Sequence, residues 1–184
     1  MIRILVTALL AAGTVGLVAA PASASVASAP SAGLPAVYPT PQQITERPGV
    51  VAIPPAVTEV VGGDTDPAAL TTLSGLLRAD GVRTITQVTV GDPIPPGALT
   101  IVVGTPSDNS DVTTALNTLD AQGPSGLPSG GYVLAAGDNE IVLAGADATG
   151  TFYAVDTLRQ LITGRVLRDV VVRDWPAISV RGVI

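Results

Sequence analysis

Seven short apolar runs, separated by turn-forming residues and by three helical patterns, constrain the fold of this 184-residue chain more than any other feature. The runs are rich in valine and isoleucine, and β-branched residues favour extended strands. They cover residues 50–53, 57–61, 85–90, 99–103, 132–136, 141–144 and 166–173. Residues 85–90 alternate apolar and polar side chains, which is typical of a strand with one wet face, whereas 99–103 is continuously apolar and predicts a buried strand. A β-sheet is therefore the framework of the fold.

The first two helical patterns carry recognisable end signals. Asp66 is a suitable N-cap, Pro67 suits the first turn, and Gly81 stands where a C-terminal glycine belongs. Between them, four leucines form one apolar stripe. The stripe consists of Leu70, Leu73, Leu76 and Leu77. The second pattern predicts a helix over 111–121, which Ser110 could cap.

The third pattern is the most strongly helical segment of the chain. Asp147 or Thr149 is placed to cap it, and Gly164 is placed to end it. Its apolar positions recur at helical spacing. They are Val155, Leu158, Leu161 and Ile162. Such a stripe packs a core more often than it lines a ligand site, and we expect Arg159 and Gln160 on the outer flank.

Strands and helices therefore follow the order ββαββαββαβ. The runs at 132–136 and 141–144 predict a hairpin, because residues 137–139 are Gly-Asp-Asn. Intermingled helices and hairpins suit an α+β fold, in which a mixed β-sheet has helices packed on it. A single domain over residues 37–176 is the simplest organisation.

The N-terminus has the features of a secretory signal peptide. Arg3 supplies the positive start, residues 4–20 are apolar, and a small-x-small cleavage signal ends at Ala24. Residues 25–36 are rich in alanine, serine and proline, and we expect disorder there. The sequence thus predicts that residues 1–24 are removed and that the mature chain is secreted, without a membrane anchor.

Composition excludes several kinds of chemistry. The chain has no histidine and no cysteine, which removes Ser-His-Asp and Cys-His catalysis, histidine or thiolate zinc sites, and disulfides. With 15 acidic and 9 basic residues the net charge is −6, which argues against nucleic acid as a partner. Any reaction would have to use carboxylates, arginines, tyrosines and hydroxyls.

The remaining motifs predict no catalytic residue, no cofactor and no metal ion. Residues 145–151 have the glycine spacing of a phosphate loop but lack its lysine, so a strand-to-helix turn is favoured. Residues 137–140 lack the ligand spacing of a calcium loop. No two acidic residues are adjacent, although acids distant in sequence could still meet in the fold, as glycosidase carboxylates do.

The third helix resembles the motif D-x-x-G-x-F-Y-A-x-x-T-L-x-Q-L of a known accessory domain. The matching residues are Asp147, Gly150, Phe152, Tyr153, Ala154, Thr157, Leu158, Gln160 and Leu161. That domain is the α+β domain that precedes the catalytic barrel in β-N-acetylhexosaminidases and their relatives. Weaker likenesses agree in order: the opening segment 38–42, the hairpin 131–145 and the exit 171–176. Together they cover about residues 37–184.

The last residues resemble the start of that barrel. Residues 178–184 look like its first strand, and in glycoside hydrolase family 84, the bacterial hyaluronidase and O-GlcNAcase-like group, a similar R-G-x-I leads into E-G-F-Y-G. In family 20 a similar R-G leads elsewhere, and its arginine, matched here by Arg181, contacts the sugar. The pattern of residues 174–184 favours family 84. We expect residues 177–184 to be a truncated first barrel strand, because one strand cannot close a barrel.

The resemblance implies a parent enzyme that removes terminal N-acetylglucosamine by substrate-assisted retention, with two carboxylates on later barrel strands. Most retaining glycosidases use a carboxylate of their own as the nucleophile, and substrate-assisted families are exceptions. No residue of this chain matches those carboxylates, so we expect the chain alone to be inactive and the barrel to be its partner. The alternatives are the same domain from a family 20 hexosaminidase and a free-standing extracellular module that binds glycan or protein.

Overall fold

The computed structural model describes residues 33–177, and within them the elements follow the predicted order. The strands and helices are β1 (Gln43–Ala52), β2 (Ala56–Val61), α1 (Pro67–Ala79), β3 (Thr84–Thr89), β4 (Leu99–Gly104), α2 (Ser110–Thr118), β5 (Tyr132–Gly137), β6 (Glu140–Gly145), α3 (Ala148–Leu161) and β7 (Val166–Asp174). The predicted α+β fold class is confirmed. The segment predicted as a signal peptide, residues 1–24, and Arg181 lie outside the described residues.

The seven strands form one mixed sheet in the order β1-β7-β5-β6-β4-β2-β3. The strands β3, β2, β4 and β6 are parallel, whereas β6, β5, β7 and β1 pair antiparallel. As a result β2, β4, β6 and β7 all end at one edge of the sheet, where β1 and β5 begin. We call it the exit edge. Each helix follows a strand that ends there, so all three helices also begin at the exit edge.

The core lies on both faces of the sheet. Helices α1 and α3 cover one face with side chains such as Leu73 and Leu158, and α2 covers the other with Leu116. These leucines are at most 2% exposed, and burying one contributes about 1.5–3 kcal/mol. Three positions of the stripe predicted for the third helix are confirmed, because Val155, Leu158 and Leu161 are buried, whereas Ile162 follows the end of α3 and is half-buried. Among residues 33–177 the structure contains no helix with the length and apolar character that a membrane span requires.

The caps agree with the sequence at two helices and differ at the third. Asp66 accepts a hydrogen bond from Ala68 N, and Asp147 caps α3 by accepting from Gly150 N. The prediction of Ser110 as the cap of α2 is wrong, since Asn109 accepts from the N–H of Asp111 at 3.0 Å. The buried amide of Asn109 also donates to the carbonyl oxygens of Val60 and Val103, near the ends of β2 and β4, and a serine hydroxyl could not donate to both.

The observed bounds of β1 and α2 differ from the predicted ones, and for β1 the pairing with a distant strand outweighs the local pattern. Strand β1 begins at Gln43 rather than residue 50, because its exposed polar half pairs with β7 across an irregularity between Glu46 and Val50. Helix α2 ends at Thr118, short of residue 121. The hairpin turn is confirmed: Asp138 and Asn139 have φ of 47° and 62°, as a two-residue turn of this type requires.

Candidate functional site

A cleft of about 320 Å³ at the exit edge is the first place to look for chemistry. It lies between the ends of β2 and β4 and the start of α3, which is where α/β sheets often bind ligands. Three aspartates line it together with hydroxyl groups. The lining residues include Asp64, Thr65, Asp66, Thr105, Asp108 and Thr151.

Two of the three carboxylates of this cleft hold its loops. Asp108 accepts hydrogen bonds from the backbone N–H of Asp64 at 2.7 Å and from the hydroxyl of Thr65 at 2.6 Å. The Asp66 carboxylate caps α1. These hydrogen bonds give Asp108 and Asp66 a structural role in the loops after β2 and β4. Among residues 33–177 no group of acids is arranged to hold a metal ion.

A second cavity, of about 340 Å³, surrounds Asp169 at the other end of the sheet. Asp169 Oδ1 is buried and has no hydrogen-bond partner within the described residues. Burial, and next the charge of Asp138, raise the pKa of Asp169, while Arg47 opposes the rise. Arg47 is engaged elsewhere, because its guanidinium donates to the carbonyl oxygens of Leu119 and Asp120 after α2. Asp120 and Asp138 line the same cavity, so more than one acid lies at this end of the sheet, as acid–base chemistry on a glycoside would need.

The start of α3 is a clamp built around Asp147. Its carboxylate accepts hydrogen bonds from Ser129 Oγ at 2.7 Å, Gly130 N at 3.0 Å and Gly150 N at 2.8 Å. Partial burial alone would raise the pKa of Asp147, but these hydrogen bonds, with one from the backbone of Thr149, lower it below its ordinary value. The carboxylate occupies the helix N-terminus, where an anion would otherwise bind. The predicted strand-to-helix turn at 145–151 is thereby confirmed.

Gly150 lets α3 lie directly against β5. A Cβ at this position would overlap the carbonyl oxygen of Gly131 and lie 3.0 Å from its carbonyl carbon. That oxygen also accepts a hydrogen bond from Ala146 N at 2.8 Å, so the backbone there is fixed. Close packing against the backbone of Gly131 therefore explains why the D-x-x-G motif has glycine at this position.

The later residues of the motif also hold the domain together. The hydroxyls of Tyr132 and Thr157 share a buried hydrogen bond of 2.6 Å, and burial raises the pKa of Tyr132 strongly. Gln160 binds the backbone of Tyr38 twice: its Oε1 accepts from Tyr38 N at 2.9 Å, and its Nε2 donates to Tyr38 O at 3.1 Å. Gln160 thus fixes the segment that leads into β1, a role that its predicted outer position did not reveal.

Two adjacent aromatic side chains lie near the start of α3. Phe152 and Tyr153 contact edge to face, with ring centroids 6.4 Å apart. Gly130 lies beneath both Tyr153 and Pro176, since a Cβ there would be 3.4 Å and 3.3 Å from them. Phe152 is half-buried and packs against the core, whereas Tyr153 is 39% exposed and lies close to Pro176, which follows β7.

A family comparison matches most of the described residues. The family described as glycosyl hydrolase family 20, domain 2, matches residues 34–175. This range runs from the segment that enters β1 to the residue after β7, so it covers the whole sheet and the three helices.

Solved structures with the same fold are several times longer than this chain. CpGH84D matches with a TM-score of 0.68 and 19% identity over 79% of this chain and 24% of its own. CpGH84B matches with a TM-score of 0.59 and 27% identity, over 75% and 22%. A β-N-acetylhexosaminidase from Bacteroides fragilis matches with a TM-score of 0.53 and 18% identity, over 77% and 25%. The chain therefore spans about a quarter of the length of these proteins.

Proposed function

The chain belongs to the family described as glycosyl hydrolase family 20, domain 2, and we propose that it is the non-catalytic N-terminal domain of a secreted β-N-acetylglucosaminidase. The observation that supports this proposal is the family match over residues 34–175. The proposal places the reacting groups in another part of the enzyme. Two carboxylates of the exit-edge cleft also support it, because Asp66 caps α1 and Asp108 accepts hydrogen bonds from the loop after β2.

In this proposal the domain has a structural role, and a catalytic barrel carries out the reaction. One barrel carboxylate polarises the acetamido group of the substrate, whose oxygen attacks the anomeric carbon, and the other protonates the leaving oxygen. The substrate is a terminal N-acetylglucosamine of a glycan or glycoprotein. Secretion follows from the signal peptide predicted at residues 1–24.

Between the two parent families, we favour family 84. The relative with 27% identity, CpGH84B, carries that designation in its name, and the pattern of residues 174–184 agrees with it. The family 20 alternative rests on the name of the matching family, and Arg181 would then contact the sugar. The residues that follow Ile184 in a longer polypeptide separate the two, since E-G-F-Y-G there indicates family 84.

The activity is tested on a longer polypeptide that carries this domain and a barrel. We expect it to hydrolyse an aryl β-N-acetylglucosaminide and to leave the corresponding aryl β-glucoside intact, because only the first has the acetamido group. Replacing the N-acetyl group by N-trifluoroacetyl should slow the reaction, since fluorine withdraws electrons from the attacking oxygen. Equal hydrolysis of glucoside and N-acetylglucosaminide would contradict the proposed substrate and mechanism.

A further inference from the structure

The two outer strands of the sheet differ in how they are protected against further pairing. Strand β1 contains Glu46, Arg47 and Pro48 and an irregularity in its register, and charges, proline and bulges commonly prevent the addition of another strand. Strand β3 pairs only with β2 among the described residues. Residues 84–90 are Thr-Ile-Thr-Gln-Val-Thr-Val, without charge, proline or glycine. The outer side of β3 is therefore open to another strand.

The hydrogen bonds of β3 with β2 show which backbone groups of β3 face outward. Thr84 N donates to the carbonyl oxygen of Pro55 at 3.0 Å, and Val90 N donates to that of Val61 at 3.1 Å. In a regular parallel ladder every second residue faces the same neighbouring strand, so the even-numbered residues of β3 face β2. The odd-numbered residues consequently turn their N–H and C=O groups away from the sheet.

Three residues of β3 therefore face outward: Ile85, Gln87 and Thr89. The N–H of Thr89 donates to the carboxylate of Asp92 at 3.2 Å, which agrees with its outward direction and occupies it. Ile85 and Gln87 have no such acceptor or donor for their backbone groups within residues 33–177. Each of these two residues thus offers one N–H and one C=O to a strand that pairs with β3.

These outward groups are complementary to those of a second β3. In an antiparallel pair, directly opposite residues can exchange both of their backbone hydrogen bonds. If Ile85 of each copy lies opposite Gln87 of the other, all the outward groups of both residues are used. Thr86 then lies on the two-fold axis, opposite Thr86 of the second copy, and cross-strand threonine pairs are favourable.

The same register brings opposite charges together at both ends of the pairing. Arg83 of one copy lies opposite Thr89 of the other, whose N–H holds the Asp92 carboxylate. Arg83 and Asp92 are both exposed, and neither forms an ion pair with another described residue. Because the chain has a net charge of −6, most of its surface would repel a second copy, whereas these two ends attract one.

We propose that β3 is a dimerisation edge, on which β3 of a second copy of this chain pairs antiparallel with Thr86 at the two-fold axis. The two sheets then form one continuous sheet, and the unpaired edge of each is removed. This inference is independent of the proposed function, since β3 lies at the opposite end of the sheet order from β7 and β1.

The absence of cysteine from the sequence allows a direct test by disulfide formation. In the proposed register the two Cα atoms at position 86 are about 4.5 Å apart, which a disulfide can span. Thr84→Cys is the matched control, because Thr84 is also exposed and lies on the same face of β3. Position 84 lies opposite position 88 of the second copy, so the two thiols of this control are about 13 Å apart along the strands.

We expect mild oxidation of the 184-residue chain to convert most of Thr86→Cys into a disulfide-linked dimer, measured by non-reducing electrophoresis, and to leave Thr84→Cys monomeric. Equal crosslinking of the two variants, or no crosslinking of Thr86→Cys, overturns the proposal. Circular dichroism of both reduced variants verifies that they are folded.

Sedimentation velocity tests the dimer without a covalent bond. The wild-type chain should dimerise reversibly, and Thr86→Lys should weaken the dimer about fivefold, because it places like charges directly opposite each other. Thr84→Lys, whose charge does not meet its own copy, should dimerise like the wild type. A wild-type chain that stays monomeric, including one whose β3 edge instead accepts an extended segment of a different protein, contradicts the proposal.

Discussion

Replacing glycine by alanine at two helical positions should change stability in opposite directions. Gly150 in α3 and Gly75 in α1 are both helical, but their surroundings differ. A Cβ at Gly150 would overlap the carbonyl oxygen of Gly131, whereas a Cβ at Gly75 would meet nothing within 4 Å. Comparing the two substitutions therefore separates the effect of close packing between α3 and β5 from the general effect of alanine in a helix.

The expected magnitudes follow from the atoms involved. At Gly75, alanine should stabilise the protein by about 0.5–1 kcal/mol, which is the usual gain over glycine inside a helix. At Gly150 the same gain is outweighed by overpacking, which costs about 1–3 kcal/mol, and by weakening of the bond from Ala146 N to Gly131 O, which costs about 1 kcal/mol. The net result for Gly150→Ala is a loss of about 1–3 kcal/mol.

Urea denaturation of the 184-residue chain, followed by circular dichroism, measures both effects. The two variants should differ by about 2–4 kcal/mol in their free energies of unfolding, with the wild type between them. If Gly150→Ala is as stable as Gly75→Ala, the packing account of the D-x-x-G motif is refuted.

Three further substitutions test the clamp and the core. Glu59→Met should stabilise the protein by about 1–3 kcal/mol at pH 7, because Glu59 is fully buried and its Oε1 has no hydrogen-bond partner within the described residues. Burial raises the pKa of Glu59 above its ordinary value of 4.5, so the gain in stability should shrink when urea denaturation is repeated below that pH. A variant that is less stable than the wild type at both pH values would contradict the reasoning. Asp147→Ala should cost about 1–2 kcal/mol at neutral pH, with Asp147→Asn as the control that keeps a cap. Since the pKa of Asp147 is lowered from 3.8, its contribution should be lost only as pH falls below that value through the folded-state pKa, and a loss independent of pH would refute this. Tyr132→Phe should lower the free energy of unfolding by about 1–3 kcal/mol, because it leaves the Thr157 hydroxyl without its partner. Adding Thr157→Val should restore most of the thermal stability. Additive losses in the double variant would argue against the shared hydrogen bond.

Local signals predicted the elements of this fold well because each has a short-range cause. The apolar stripe of α3 and its cap at Asp147 depend on residues that are close in sequence. The turn at Asp138 and Asn139 likewise depends on residues that tolerate positive φ. These features need no knowledge of the rest of the chain.

The errors arose where a distant partner decides the outcome. Ser110 and Asn109 are both good N-caps, and Asn109 is used because the ends of β2 and β4 bring two carbonyl oxygens to its amide. The polar start of β1 is a strand only because β7 pairs with it.

The site required the same long-range information. Gln160 and Tyr38 are 122 residues apart, so their pairing has no local signature. Asp108 and Thr65 meet only when the loops that follow β4 and β2 are brought together at the exit edge. The α3 motif indicated the family through its resemblance alone. Why the motif contains Gly150 and Thr157 is explained only by their contacts in the fold.

The most direct test of the account is hydrolysis of an aryl β-N-acetylglucosaminide by the purified 184-residue chain. Because Asp66 and Asp108 at the exit edge serve as a helix cap and a loop acceptor, we expect a rate equal to that of the buffer blank between pH 4 and pH 8. Turnover that copurifies with the chain and is lost in Asp108→Asn, Asp64→Asn or Asp169→Asn would show that this domain carries the reaction itself, and would contradict the account.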